Sequence, residues 1–172
     1  MKDKSLQKKY KSKLRTADEA LRMVRSGQRV FIGSSCGEPQ HLVNALMDNA
    51  QFFSDVEIVR LLSLEGSLIS LMADEYRGHK FHVRSIYQGS AQTKNLRANK
   101  RFITPLNLCA VPDLFKKKML PLHFALIQVS PPDDNGWMSL GISVDVTLAA
   151  ARSAAVVIAQ VNSMMPRTPG HS

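Results

Sequence analysis

The sequence predicts an α/β fold, an open and mostly parallel sheet with helices on both faces. Three observations point there. Apolar runs of strand length recur along the chain, at Val30 to Ile32, Val56 to Leu62, Phe124 to Val129 and Ala155 to Val161. Between them lie stretches whose apolar residues recur at helical spacing, the alternation from which parallel sheets are built. Phe124 to Val129 also reads as one continuous apolar run, as a parallel strand covered on both faces requires. With 172 residues, 44% of them hydrophobic and 22% charged, the chain is the size of one domain with a real core.

The leading segment, residues 1–15, is set apart by charge. It holds Lys2, Lys4, Lys8, Lys9, Lys11, Lys13 and Arg15 against Asp3, so six of the nine net positive charges sit there. A basic arm for nucleic acid or an acidic membrane surface has this bias. The segment has a single aromatic, Tyr10, and no base-reading motif, so a solvated lysine-rich helix is the expectation and no nucleic-acid partner is expected. No apolar stretch follows the charges as a secretory signal requires. The longest plainly apolar run, Ala154 to Ala159, is far below the roughly 20 residues of a membrane span. Two cysteines, Cys36 and Cys109, make no disulfide framework, and five scattered histidines show no metal-ligand spacing. A cytoplasmic, metal-free protein is expected.

Residues 16–172 read as one α/β domain. Thr16-Ala-Asp-Glu19 has capping-box spacing, and Ala20, Leu21 and Val24 form the buried stripe of the helix that Gly27 ends. Arg29 to Ile32 is a strand, and Gln40 to Ala50 is a helix. Val56 to Leu62 is a second strand, parallel to the first because the crossover between them is helical. The pattern weakens from Glu65 to Lys80, where Ile69, Leu71 and Met72 fit a short buried helix or loop. Phe81 to Tyr87 alternates as a strand and leads to the small-residue turn Gln88-Gly89-Ser90. Thr93 to Lys100 reads as a polar helix, Phe102 to Pro105 as a short strand and Asp113 to Lys118 as a helix. The lysine triplet 116–118 suits the negative end of that helix. After the strand Phe124 to Val129 come a rigid turn-rich loop, Ser130 to Trp137, a small-residue helix, Asp145 to Ser153, and the strand Ala155 to Val161.

The first strand, its loop and the following helix carry the chemistry. Gly33-Ser34-Ser35-Cys36-Gly37-Glu38-Pro39 joins Ile32 to a helix that Pro39 can open. Its glycines let backbone approach a bound group, and amides opening a helix can take an anion or a polarised carbonyl oxygen. The plainer alternative is a connection kept small for packing. Cys36 lies where a thiol pKa can fall, but no base is evident beside it, and a small buried role is expected. Glu38 and Glu65 stand near glycine turns, and neither is expected to be a nucleophile.

Ile32-Gly-Ser-Ser-Cys-Gly-Glu-Pro39 is followed by Leu126-Ile-Gln-Val-Ser-Pro-Pro-Asp133, Asn135-Gly136 and Ser139-Leu-Gly-Ile-Ser-Val-Asp145, then by Ala159-Gln-Val-Asn162 and Met165-Pro-Arg-Thr168. In this order and spacing the motifs resemble the acetyl-CoA hydrolase/transferase family. That family lies within the family I CoA-transferases that include acetate, butyrate and 4-hydroxybutyrate CoA-transferases. The resemblance runs from about Thr16 to the C-terminus and matches an N-terminal domain only. It implies a CoA-transferase-like fold of two related α/β domains, with the nucleophilic glutamate and much of the CoA-binding surface in the second, so no catalytic residue is expected in this chain. It implies acyl-CoA thioesters and short carboxylates as substrates, no bound cofactor, and either a missing C-terminal domain or a partner chain, with homo-oligomerisation possible in principle. Gly33, Ser34, Ser35, Cys36, Gly37, Pro39, Gly89, Asn135, Gly136, Ser139, Gly141 and Arg167 are the expected substrate-binding residues. The expected function is to shape the acyl/CoA site of a transferase or hydrolase in acetate metabolism, inactive as this piece alone. The alternatives are a stand-alone nucleotide- or phosphate-binding α/β domain without catalysis and a basic-arm nucleic-acid binder.

Overall fold

The computed structural model describes residues 4–62, 80–87 and 101–168. Six strands form one sheet: β1 (Arg29–Ile32), β2 (Val56–Arg60), β3 (Phe81–Ser85), β4 (Arg101–Ile103), β5 (Phe124–Val129) and β6 (Val156–Val161). Their order is β4-β3-β2-β1-β5-β6, and among the described residues every pairing is parallel. The helices are α1 (Lys4–Lys13), α2 (Ala17–Leu21), α3 (Gln40–Asp48), α4 (Val111–Lys116) and α5 (Thr147–Ser153).

Alternate residues of the central strands feed two separate cores. Val30, Ile32, Ile58, Val83, Phe124 and Leu126 pack with Ala20 and Leu21 of α2 and with Leu42, Val43 and Leu46 of α3. Phe31, Val59, Ala125, Ile127 and Val129 pack on the other face with Val111 and Phe115 of α4 and Ala150 of α5. Phe31 and Phe115 meet edge to face, ring centroids 5.7 Å apart. Helices thus cover both faces, because each face of a parallel sheet must be buried.

Local chemistry explains most boundaries. Thr16 caps α2 through the expected capping box, its hydroxyl accepting from the Glu19 amide while the Glu19 carboxylate accepts from the Thr16 amide. The helix is one short turn, so Val24 is buried but lies beyond it. The helix expected at Asp113 to Lys118 starts two residues earlier, with Pro112 in its first turn, and ends before Lys118, whose φ is +54°. Of the lysine triplet only Lys116 lies in the last helical turn, and Lys117 pairs with Asp113 at 2.9 Å. The last helix begins at Thr147 rather than Asp145, because Asp145 turns its carboxylate onto the first amides from outside. The expectations for Glu65 to Lys80 fall almost wholly outside the described residues, and those for Thr93 to Lys100 and for the turn holding Gly89 lie entirely outside them.

Candidate functional site

In an open parallel sheet, ligands bind beyond the carboxyl ends of the strands, at the point where strand order reverses. Here the order reverses between β1 and β5. The loop leaving β1 is Gly33–Pro39, and the loop leaving β5 is Ser130–Val146. The sequence therefore places its most glycine- and serine-rich segments at the one crevice that this topology creates.

The two loops are knitted together. Gly33 donates its amide to the Leu126 carbonyl at 2.8 Å, which carries the β1 loop across β5. The Ser143 hydroxyl donates to the Ser34 carbonyl at 3.0 Å, and the Ser34 hydroxyl donates to the Asp145 carboxylate. Asp145 also accepts from the Val146 amide, from the Thr147 amide at 3.0 Å and from the Thr147 hydroxyl at 3.1 Å. Ser35 has φ +52° and Asp145 has φ +26°, a region that side chains other than glycine seldom enter. Such strain persists only where the surroundings enforce it, and it gathers at functional sites. Gly37 has no room for a side chain, since a Cβ would lie 2.9 Å from that of Ser143.

The amides divide into two groups. Those of Gly33, Ser35, Gly37 and Glu38 donate to the carbonyls of Leu126, Leu62, Ser34 and Ser35. Among the described residues no backbone acceptor takes the Ser34 or Cys36 amide. The amides that open α3 are not free for an anion, contrary to the sequence reading. Gln160 Oε1 accepts from His41 at 3.1 Å and from Leu42 at 3.3 Å. Gln160 Nε2 in turn donates to Gln128 Oε1, as does Asn162 Nδ2, each at 3.1 Å. Pro39 is buried at the N-cap of this helix. Cys36 is exposed rather than buried, because the short 3₁₀ turn Ser35–Gly37 holds it on the outer side of the loop.

Asn135, Gly136, Ser139 and Gly141 lie further along the β5 loop, and Arg167 reaches it from the segment after β6. Asp133 accepts from the amides of Asn135 at 2.9 Å and Trp137 at 2.8 Å, and from Arg167 Nη2 at 2.7 Å. Arg167 Nη1 also donates to the Trp137 carbonyl at 3.0 Å. Arg167 therefore clamps the turn that contains Asn135 and Gly136. Ser139 is buried, its amide donating to Ser130 Oγ at 2.9 Å and its hydroxyl accepting from the Gly141 amide at 3.1 Å. Gly141 has φ +66° and packs against Met165. Gly33, Ser34, Ser35 and Gly37 are thus brought to Ser143 and Asp145, while Asn135 and Gly136 of the same loop form a second cluster with Arg167, which comes from the segment after β6.

Sequence reasoning gave no role to Gln128, Gln160, Asp145 or Arg60. Arg60 ends β2 and is buried, with Nε donating to Ser85 Oγ at 3.1 Å. A glutamine inside the run Phe124 to Val129 and an arginine at the end of Val56 to Arg60 were the available signals: a polar group in a buried strand needs a partner. Glu38 is 2% exposed and is engaged within the protein. Among the described residues no group of three His, Cys, Asp or Glu side chains is placed to hold a metal.

The whole chain, residues 1–172, matches the family described as the acetyl-CoA hydrolase/transferase N-terminal domain. It is 40% identical over 167 residues to the 4-hydroxybutyrate coenzyme A transferase of Clostridium kluyveri, covering 95% of this chain and 37% of that protein. It is 34% identical over 155 residues to the succinyl-CoA:acetate/propanoyl-CoA:succinate CoA transferase of Fasciola hepatica, covering 89% and 31%. Among solved structures, the 4-hydroxybutyrate CoA-transferase of Porphyromonas gingivalis superposes with a TM-score of 0.74 at 27% identity, covering 95% of this chain and 37% of that one. RipA of Yersinia pestis superposes at 0.86 with 25% identity, covering 96% and 40%. The chain thus spans about a third to two-fifths of the length of these relatives. It belongs to the acetyl-CoA hydrolase/transferase family and carries that family's N-terminal domain.

Proposed function

We propose that this domain shapes the acyl end of the active site of an acyl-CoA:carboxylate CoA-transferase or acetyl-CoA hydrolase, with the nucleophilic carboxylate supplied by further chain or a partner. The observation that carries this reading is the Ser34–Asp145 junction at the sheet's switch point, where two strained residues and an enforced glycine surround the mouth of the crevice. The relatives whose names specify CoA transfer to carboxylates support the substrate class.

The chemistry is covalent catalysis by a carboxylate. The nucleophile attacks the thioester carbonyl, the C–S bond breaks, and the CoA thiolate leaves behind an acyl-glutamyl anhydride. The thiolate then attacks the glutamyl carbonyl and releases the first carboxylic acid as its anion. A second carboxylate attacks the resulting glutamyl-CoA thioester and expels the CoA thiolate, which then attacks the acyl carbonyl of the new anhydride to give the product acyl-CoA and the free glutamate. In the hydrolase, water attacks the thioester instead and releases CoA and the glutamate. Each addition places negative charge on a carbonyl oxygen, which fixed donors stabilise by a few kcal/mol each. The amides of Ser34 and Cys36 are the donors this domain offers. Small side chains at 33–37 leave space for the acyl group. Cytoplasmic location and a role in acetate metabolism follow as parts of the same proposal.

The test is acyl transfer from an acyl-CoA to acetate, measured with the purified 172-residue chain and with the product of the full reading frame. The expected result is activity in the longer protein and none in this chain. Transfer by this chain that survives both Glu38→Gln and Glu65→Gln would place a different nucleophile in this domain and overturn the reading. A CoA-binding chain whose full-length form transfers nothing would favour the non-catalytic binding alternative.

A further inference from the structure

Gln128 stands on the otherwise apolar strand β5, its side chain buried where three segments of the candidate site converge. Its Oε1 accepts from Gln160 Nε2 and from Asn162 Nδ2, each at 3.1 Å. Its Nε2 donates over 3.5 Å to the Glu38 carbonyl, at the end of the β1 loop. Backbone groups, whose donors and acceptors cannot be exchanged, set the polarity of this whole cluster. The amides of His41 and Leu42 hold Gln160 Oε1 toward α3, which leaves Gln160 Nε2 toward β5. The Met164 amide donates to Asn162 Oδ1 at 2.9 Å and so turns Asn162 Nδ2 toward β5 as well. Two donors then claim Gln128 Oε1, and its Nε2 is left to a carbonyl, which only accepts. That carbonyl takes the Gln40 amide at 2.9 Å on its other lone pair.

One side-chain amide thereby joins parts of the site that are far apart in sequence. The β1 loop is pinned near its start by Ser143 and Asp145, through Ser34, and at its end by Gln128, through Glu38. The Ser34 and Cys36 amides, which no backbone acceptor takes among the described residues, belong to the span held between these two ties. Asn162 extends the connection into the segment after β6, where Met165 packs on Gly141 and Arg167 clamps the β5 loop. Strand packing alone would be met by an apolar residue at position 128. Burying an amide costs free energy unless its partners are in place, and here the partners are the site's own loops.

We propose that Gln128 is a positioning residue for acyl transfer, its Nε2 holding the Glu38 end of the β1 loop so that the Ser34 and Cys36 amides keep the orientation the reaction needs. This rests on the functional reading of those amides as oxyanion donors; the polarity of the amide cluster stands without it. Gln128→Glu tests the donor alone. The introduced carboxylate still accepts from Gln160 and Asn162 but sets a negative oxygen against the Glu38 carbonyl, whereas the protonated acid has an O–H to donate there. In the product of the full reading frame, kcat should fall by about tenfold or more at neutral pH with the acyl-CoA KM within a few-fold, and the ratio to the unsubstituted enzyme should recover as pH falls. Gln128→Met, similar in shape but without the amide, should lose as much at every pH. In this chain, hydrogen exchange of the Gly37 and Glu38 amides, whose bonds to Ser34 and Ser35 close the loop, should quicken in Gln128→Glu at neutral pH and return toward the unsubstituted rate in acid. Glu38 and His41 are the titratable residues of the stretch that Gln128 and Gln160 meet, and comparison at equal pH removes their own titration. A loss in Gln128→Glu that ignores pH, a KM that rises while kcat holds, or loop amides that exchange no faster would overturn the proposal. Loop amides that respond as expected in a protein whose full-length form transfers no acyl group would instead remove the CoA-transferase reading and confine Gln128 to shaping the loop.

Discussion

Gly37 and Ser143 occupy the same few ångströms from opposite loops, and the space between them sets how closely the loops close. Gly37→Ala would force the Ser143 Cβ away from a 2.9 Å approach. Overpacking of this kind costs about 1–3 kcal/mol. The expected result is a lower urea midpoint for Gly37→Ala and recovery in Gly37→Ala/Ser143→Gly, which removes the clashing atom. A double variant no more stable than the single one would mean that the backbone, not the Ser143 side chain, limits the approach. Asp145 acts at the same scale. It gathers the Ser34 hydroxyl and the first amides of α5 on one carboxylate. Asp145→Asn in the full-length enzyme should lower kcat by about tenfold or more while leaving the acyl-CoA KM within a few-fold, since it misplaces donors needed when charge develops. An equal rise in KM with unchanged kcat would assign it to ground-state binding instead.

At the scale of elements, helix α3 is held by β6. The side chain of Gln160 satisfies two amides at the N-terminus of α3 that would otherwise be orphaned. Gln160→Leu should destabilise the domain by about 1 kcal/mol, the net worth of such hydrogen bonds at a partly exposed helix end, read from thermal melting. The strand–loop–helix unit around this contact was legible in the sequence. Val30 to Ile32 has strand chemistry, Pro39 marks a helix start, and the spacing of Leu42, Val43 and Leu46 is local information. What occupies the opening amides was not legible, because Gln160 lies 119 residues from His41 and nothing local announces the pair. The same holds for Ser34 and Asp145, 111 residues apart. The error over Cys36 has the same origin: a left-handed Ser35 turns the loop, and no propensity places a serine there. The family's ordered motifs located the site loops, while the hydrogen bonds that fix their shape emerged only in three dimensions.

For the molecule as a whole, two features span the sheet. Glu57 on β2 is gripped by Arg29 of β1, at 2.7 Å, and by Arg84 of β3, tying three neighbouring strands. Partial burial raises the Glu57 pKa, but the hydrogen bonds from Arg84 and Arg29 outweigh it and hold the carboxyl below the usual 4.5. A lowered carboxylate pKa lends stability that is present above the unfolded-state value and lost as pH falls through the folded one. Glu57→Gln should therefore lower the melting temperature at neutral pH, with the gap to the unsubstituted chain closing in acid below about pH 4. A gap independent of pH would assign the loss to packing. The second feature is the edge strand β6, whose Val156 and Val157 are exposed and which contains no charged residue or proline. An uncharged apolar edge templates further pairing. This chain should associate with rising concentration in sedimentation experiments, and Val157→Lys should suppress it.

The strand order also has a meaning in time. β1 lies between β2 and β5, and the Arg29 amide donates to His123, 94 residues further on. During synthesis from the N-terminus, β1 to β4 can pair before β5 has been made, leaving Val30, Phe31 and Ile32 as an open apolar border on the nascent chain. The crevice where Ser34 meets Asp145 comes into being only after the ribosome has passed residue 145, when β5 closes that border and its loop arrives together with it. A polypeptide interrupted near residue 120 would carry every residue of the Gly33–Gly37 loop and an adhesive sheet edge, but no site.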